Sequence, residues 1–160
     1  MNIANKDNGA AQENLKTAIG LKQDYTAAIF LLSQLLVQDG NVKDALASAL
    51  AAAYFQPNDP NILFQVGILY AVQSDYANAT AALSAAVDAN PQFANARYFL
   101  SAIYAKRGDF ASALAQMEAI ANMSEDNAKA VSTQLEALKA GRNPFPANLL
   151  NITPATTPSP

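Results

Sequence analysis

Few residues of this chain could carry out chemistry, because its 160 residues include no cysteine and no histidine. Thiolate nucleophiles, zinc fingers and Ser-His-Asp triads are therefore excluded within it. The remaining candidates are carboxylates near predicted helix ends, where an aspartate accepts hydrogen bonds from unpaired backbone amides. They are Asp24, Asp39, Asp59, Asp75, Asp109 and Asp126. Their spacing resembles neither an acid/base pair nor a calcium loop, so we predict a protein that is not an enzyme and uses no metal or cofactor.

Aromatic residues, in contrast, recur at a fixed interval. Phe30, Phe64 and Tyr98 are separated by steps of 34 residues. Lysines and arginines do not alternate with them, which disfavours stacking on nucleic acid. The net charge of −3, from 10 basic and 13 acidic residues, also gives no strong attraction to nucleic acid or anionic lipid.

The elements that must position these rings repeat with the same period. Residues 26–59, 60–93 and 94–127 align without gaps. Small residues, aliphatic residues and turn formers recur in the same columns: Ala45, Ala79 and Ala113; Leu32, Val66 and Leu100; Gly40, Ser74 and Gly108. Aliphatic residues at the i, i+3 and i+4 spacing predict one face of a helix, and the turn formers end it. Each block is therefore predicted to be a helix–turn–helix hairpin.

This 34-residue pattern of small, aromatic, glycine, alanine and proline columns resembles the tetratricopeptide repeat family. The resemblance covers residues 26–127 and implies an all-α, right-handed superhelical solenoid of antiparallel helix hairpins. Residues 8–25 match the second helix of a truncated repeat, after an N-terminal extension at residues 1–7. Residues 128–140 read as one capping helix, with Val131, Leu135 and Leu138 facing inward.

The two ends of the chain give further expectations. The half repeat exposes apolar residues without a preceding hairpin, namely Ile3, Leu15, Ala18, Ile19 and Leu21. We therefore expect either a fragment of a longer protein or a partner at this end, with self-association as one form of it. Residues 141–160 contain five of the eight prolines and read as a disordered tail. The alternative is that this tail, extended by its prolines, docks through Phe145, Leu149, Leu150 and Ile152 on the groove described next.

The family resemblance implies that the first helices of the hairpins line a concave groove. Aromatic anchors and amides there suit an extended, mainly apolar peptide or a partner helix. The predicted groove residues are Phe30, Gln34, Gln38, Asn61, Phe64, Ile68, Val72, Asn95, Tyr98, Ala102 and Lys106. Alternatively, the rings pack between adjacent helices. Only Asn61, Asn95 and Lys106 could clamp a terminal carboxylate, which disfavours that mode of binding.

The predicted function is a protein-protein interaction module whose partner is a protein or peptide. Two alternatives remain: a structural or oligomerisation role, and an accessory repeat segment of a larger, possibly enzymatic or membrane-anchored, protein. The sequence shows neither a signal peptide nor a segment of roughly 20 apolar residues that could span a bilayer. It does not indicate a compartment.

Overall fold

The computed structural model describes residues 3–150, with side chains from Asn8 onward, and in that range every regular element is an α-helix. The nine helices are α1 (Ile3–Leu21), α2 (Thr26–Gln38), α3 (Val42–Phe55), α4 (Pro60–Val72), α5 (Tyr76–Ala89), α6 (Ala94–Lys106), α7 (Phe110–Ala121), α8 (Glu125–Ala130) and α9 (Ser132–Lys139). Helices α2/α3, α4/α5 and α6/α7 form antiparallel hairpins, and each hairpin packs on the next. The predicted all-α solenoid is confirmed.

The turn inside each hairpin requires a left-handed backbone. Gly40 and Gly108 have φ values of 76° and 80°, and Ser74 in the same column has a φ of 63°. At each turn the following amide donates to a carbonyl five residues earlier, as in the 2.8 Å bond from Asn41 N to Leu36 O. This closing bond satisfies a carbonyl that the end of the helix leaves unpaired.

Polar caps start the second helices. The side chains of Asn41, Asp75 and Asp109 each accept a hydrogen bond from a backbone amide three residues later. The side-chain and backbone hydrogen bonds from Ser112 hold the pKa of the Asp109 carboxyl below its usual value. Capping is thus the structural role of these two aspartates, as the sequence predicted.

Small residues hold the two helices of each hairpin together. Ala45, Ala79 and Ala113 are fully buried. The Ser33 and Ser101 hydroxyls donate to Ala45 O and Ala113 O at 2.7 and 2.8 Å, so these buried hydroxyls are satisfied. In the middle hairpin the equivalent residue is Gly67, and a Cβ there would lie 2.6 Å from Leu83 Cγ. A side chain at position 67 would therefore force Leu83 to shift.

Both ends differ from their predicted boundaries. Helix α1 begins at Ile3, so most of the predicted extension 1–7 belongs to it; no proline there interrupts it. The predicted capping helix 128–140 is two helices that meet at Val131. The Ser124 side chain accepts from Asn127 N and starts α8 early. Val131, at the break between the two helices, and Leu138 both belong to the main core cluster.

Candidate functional site

The first helix of each hairpin presents three positions, spaced by four residues, on one face. They are Phe30, Gln34 and Gln38 on α2, Phe64, Ile68 and Val72 on α4, and Tyr98, Ala102 and Lys106 on α6. Four-residue spacing places such side chains above one another on a helix. The structure divides these positions into two regions with different surroundings.

The first region, which we call the open groove, is a cavity of about 520 Å³ between α2 and α4. Its lining contains seven of the predicted residues: Phe30, Gln34, Gln38, Asn61, Phe64, Ile68 and Val72. Val37, Val42, Gln65 and Leu69 also line it and were not predicted, because they belong to the helix-packing pattern or to variable columns. The volume lies within the range of roughly 300–1,000 Å³ typical of ligand pockets.

Every side chain that lines the open groove is uncharged. Ile68 and Leu69 form a buried apolar floor, whereas Gln34, Gln38 and Asn61 are exposed at the rim. Gln65 already forms a hydrogen bond within the fold, because its Nε2 donates to Ser33 Oγ at 2.7 Å. The open groove therefore combines an apolar base with rim amides. Within the described residues the side chains of Gln34 and Asn61 form no hydrogen bond, whereas Gln38 Oε1 accepts one from Asn8 Nδ2 at 3.4 Å.

The second region, the covered groove, consists of Tyr98, Ala102 and Lys106 together with residues 143–150, which we call the tail segment. The cavity between Ala102, Lys106 and the tail segment has a volume of about 30 Å³. The Phe145 ring meets the Tyr98 ring edge-to-face, with centroids 5.2 Å apart. Phe145 and Leu150 are 9% and 4% exposed and belong to the main core cluster. Aromatic residues from α6 and from the tail segment thus bury one another.

The tail segment is folded into two turns, whereas the sequence predicted a disordered tail or, alternatively, an extended one that docks on the groove. Phe145 N donates to Asn143 Oδ1 at 2.9 Å, and Leu149 N donates to Pro146 O at 3.0 Å. Gly141, with a φ of 67°, permits the reversal after α9. Residues 151–160, including Ile152 of the docking hypothesis, lie outside the described residues.

Aromatic contacts join the two regions by a route that the 34-residue pattern missed. Phe64 packs against Phe93 and Phe99, with centroids 5.1 and 5.7 Å away, and Phe99 packs against Tyr98 at 6.1 Å. Phe64 therefore lines the open groove and also packs between hairpins. For this residue the two alternative predictions, groove lining and packing between helices, both apply. Phe93 and Phe99 could not be found from recurrence, because Asp59 and Gln65 hold their columns in the preceding repeat.

The three residues considered for a carboxylate clamp lie apart. Asn61 lines the open groove, Lys106 lines the covered groove, and Asn95 lines neither cavity. The Lys106 Nζ lies 5.6 Å from the centroid of the Tyr76 ring. The structure does not bring these groups together around one carboxylate.

The N-terminal half repeat is less exposed than its sequence suggested. Leu15 and Ile19 pack against the core clusters formed by α2, α3 and α4. Leu21, however, is 87% exposed, and Tyr54 at the end of α3 is 81% exposed. The side chain of Ile3 lies outside the described side chains.

The described residues contain no group of three or more acidic side chains placed to hold a metal ion. None of the helices between Ile3 and Lys139 is both long and apolar enough to cross a membrane.

Comparison with known proteins gives matches to repeat proteins. Two family models, both described as tetratricopeptide repeats, match residues 3–61 and 73–139. A search of curated proteins finds no match. Among solved structures, a tetratricopeptide repeat protein from Parabacteroides merdae ATCC 43184 is 20% identical with a TM-score of 0.76, over 86% of this chain and 56% of that one.

Two further solved structures have the same fold. MamA is 19% identical with a TM-score of 0.68, over 72% of this chain and 63% of that one. YrrB, described as a TPR protein with an unusual peptide-binding site, is 20% identical with a TM-score of 0.70, over 82% of this chain and 68% of that one. The chain thus spans less than two thirds of the length of MamA and of the P. merdae protein.

Proposed function

Because the chain belongs to the tetratricopeptide repeat family, we propose that it is a protein-protein interaction module that binds an extended, mainly apolar peptide or a partner helix. The proposed binding surface is the open groove. One observation carries the proposal: a cavity of about 520 Å³ with an uncharged lining lies where the aromatic positions recur.

The lining suggests how such a ligand would bind. Phe30, Phe64 and Ile68 offer apolar surface for two or three ligand side chains, each contributing about 1.5–3 kcal/mol if fully buried. The rim amides of Gln34, Gln38 and Asn61 can donate to and accept from the ligand backbone. Apolar contacts would provide the affinity, and the amides would orient the ligand.

The likeness to YrrB supports the proposal at the level of the fold. That protein is described as having a peptide-binding site and shares a TM-score of 0.70 with this chain. At 20% identity the likeness does not transfer residues, so the proposed ligand contacts depend on the lining of the open groove alone.

Peptide display provides the test. Random peptides of about nine residues selected on the full chain should include binders that lose at least tenfold in affinity for Gln34→Trp, because the indole fills the open groove. Gln34 is exposed, so the variant should fold normally. Gln92→Trp, at an exposed glutamine between α5 and α6, is the matched control and should bind normally. Selected peptides that bind both variants equally would refute the proposal.

A structural role is the second candidate, favoured by apolar side chains exposed on α1 and α3. Leu21, Leu50, Tyr54 and Phe55 are at least 40% exposed, and Tyr54 and Phe55 form an edge-to-face pair. Exposed apolar clusters often mark interfaces. Sedimentation equilibrium should then show self-association that Tyr54→Lys abolishes. A monomer at all concentrations up to about 1 mM would exclude this role.

A further inference from the structure

The tail segment occupies the position that corresponds, one repeat later, to part of the open groove. Tyr98, Ala102 and Lys106 beneath the tail segment lie 34 residues after Phe64, Ile68 and Val72, which line the cavity. We propose that the open groove binds a partner segment with the chemistry of the tail segment: a short, uncharged turn with a proline-flanked aromatic residue followed by leucines. This inference rests on the proposed function and specifies the class of ligand.

The aromatic position is equivalent in the two grooves. In the covered groove, Phe145 places the edge of its ring against Tyr98. In the open groove the equivalent ring, Phe64, is half-buried: Phe93 and Phe99 contact it, and the cavity lies beside it. A ligand aromatic residue can therefore make the same kind of contact with Phe64 that Phe145 makes with Tyr98.

The neighbouring positions make the open groove more apolar than its covered counterpart. Ile68 replaces Ala102, and Val72 replaces the lysine at position 106. The tail segment is itself without charge, since residues 143–150 read Asn-Pro-Phe-Pro-Ala-Asn-Leu-Leu. An uncharged segment that packs beside Lys106 can pack at least as well in a lining that contains no ion, because no charge has to be desolvated.

The shape of the tail segment also suits a groove with few backbone partners. Its two internal hydrogen bonds, from Phe145 N to Asn143 Oδ1 and from Leu149 N to Pro146 O, satisfy part of its own backbone. A preformed turn of this kind loses less conformational entropy on binding than a flexible strand. The amides of Gln34 and Asn61 and the Nε2 of Gln38 remain for the other polar groups.

The occupant of the open groove is a different molecule from this chain's own tail segment. Phe145 and Leu150 are already more than nine-tenths buried over α6 and α9. A second copy would have to expose these apolar side chains to water before its tail segment could bind elsewhere, which opposes such binding. We therefore assign the site to a partner protein with a segment of this chemistry.

The probe for this proposal is an acetylated and amidated peptide with the sequence of residues 143–150, titrated calorimetrically into the full chain. We expect one saturable site, binding at least tenfold weaker to Gln34→Trp, and unchanged binding to Gln92→Trp. The same peptide with alanine in place of its phenylalanine should bind at least tenfold more weakly, because aromatic anchors dominate such interfaces.

Four results would overturn the inference. If the peptide does not bind although displayed peptides bind in a Gln34-dependent manner, the ligand class is wrong and the proposed function stands. If no peptide of any sequence binds in a Gln34-dependent manner, both the ligand class and the proposed function are wrong. If Tyr98→Ala abolishes binding of the capped peptide and Gln34→Trp does not, the peptide binds at the covered groove, where it displaces the chain's own tail segment. Concentration-dependent dimers of the full chain that Gln34→Trp and Phe145→Ala each abolish would make a second copy the occupant and likewise overturn it.

Discussion

The open and covered grooves are built from the same repeated positions and differ in what lies over them. Phe30 and Phe64 border a cavity of about 520 Å³. Tyr98 instead contacts the Phe145 ring, and the cavity between Ala102, Lys106 and the tail segment has a volume of about 30 Å³. Since α4 and α6 have the same length and the same register, the repeat itself does not decide which region is open. The chain that follows α9 decides it, because the reversal at Gly141 places the tail segment over α6.

The two grooves also differ in charge. The open groove has no ionisable group in its lining, while Lys106 lines the covered groove. Column by column, the residue at the C-terminal end of the first helix changes from Gln38 to Val72 to Lys106. Two surfaces of one fold thus differ in chemistry, so the fold alone does not identify a ligand.

The largest expected effect comes from uncovering α6. Phe145→Ala should lower the free energy of unfolding by about 3 kcal/mol, because it removes a buried aromatic ring that packs on Tyr98. Urea denaturation measures this change. Tyr54→Ala, which removes an 81% exposed aromatic ring, should cost about 0.5 kcal/mol or less. Similar losses in the two variants would mean that the tail segment does not cover α6 in solution.

The next effect concerns how the hairpins beneath the two grooves are packed. Gly67→Ser should destabilise by about 1–3 kcal/mol, since the new Cβ would lie 2.6 Å from Leu83 Cγ. Under the covered groove the equivalent serine, Ser101, is buried and satisfied by Ala113 O. In a Leu83→Ala background the same change should cost less, because the crowding atoms are gone. Strictly additive losses in this double-mutant cycle would disprove the contact.

The repeat made much of the fold predictable from the sequence. The same helix-boundary signals recur in three repeats, so the hairpins and their alanine contacts could be predicted from columns such as Ala45, Ala79 and Ala113. The break at Val131 and the start of α1 at Ile3 occur where the pattern ends. There the backbone is determined by tertiary packing and by single caps such as Ser124, which no repeated column reveals.

The candidate site was predictable only where it repeats. Recurrence identified Phe30, Phe64 and Tyr98, but it could not identify Phe93 or Phe99, which occur once and connect the two grooves. It also could not say that the tail segment would form turns. That shape depends on local bonds, such as the one from Phe145 N to Asn143 Oδ1, and on burial against α6.

Deleting residues 142–160 should change the amide hydrogen exchange rates at the covered groove and leave those at the Phe30 side of the open groove unchanged. Amide hydrogen exchange in α6 around Tyr98 should become about tenfold faster, because the tail segment no longer protects that helix. Exchange in α2 around Phe30 should be unchanged, since the tail-segment contacts lie on α6 and in the core cluster that does not include Phe30. Equal exchange with and without the tail at all of Phe30, Phe64 and Tyr98 would mean that the segment does not dock.

The smallest expected effect is that of salt on the open groove. Between 50 and 500 mM sodium chloride, the affinity for the capped peptide of residues 143–150 should change less than about twofold, because neither the lining nor the peptide carries a charge. Val72→Lys gives the open groove the cation that the covered groove has at Lys106. The same peptide with a free carboxylate should then bind the variant more tightly at low salt, by about 0.2–1 kcal/mol, and lose this advantage at high salt. A salt-dependent affinity in the unaltered chain would instead place the peptide near an ionised group, outside the lining of the open groove.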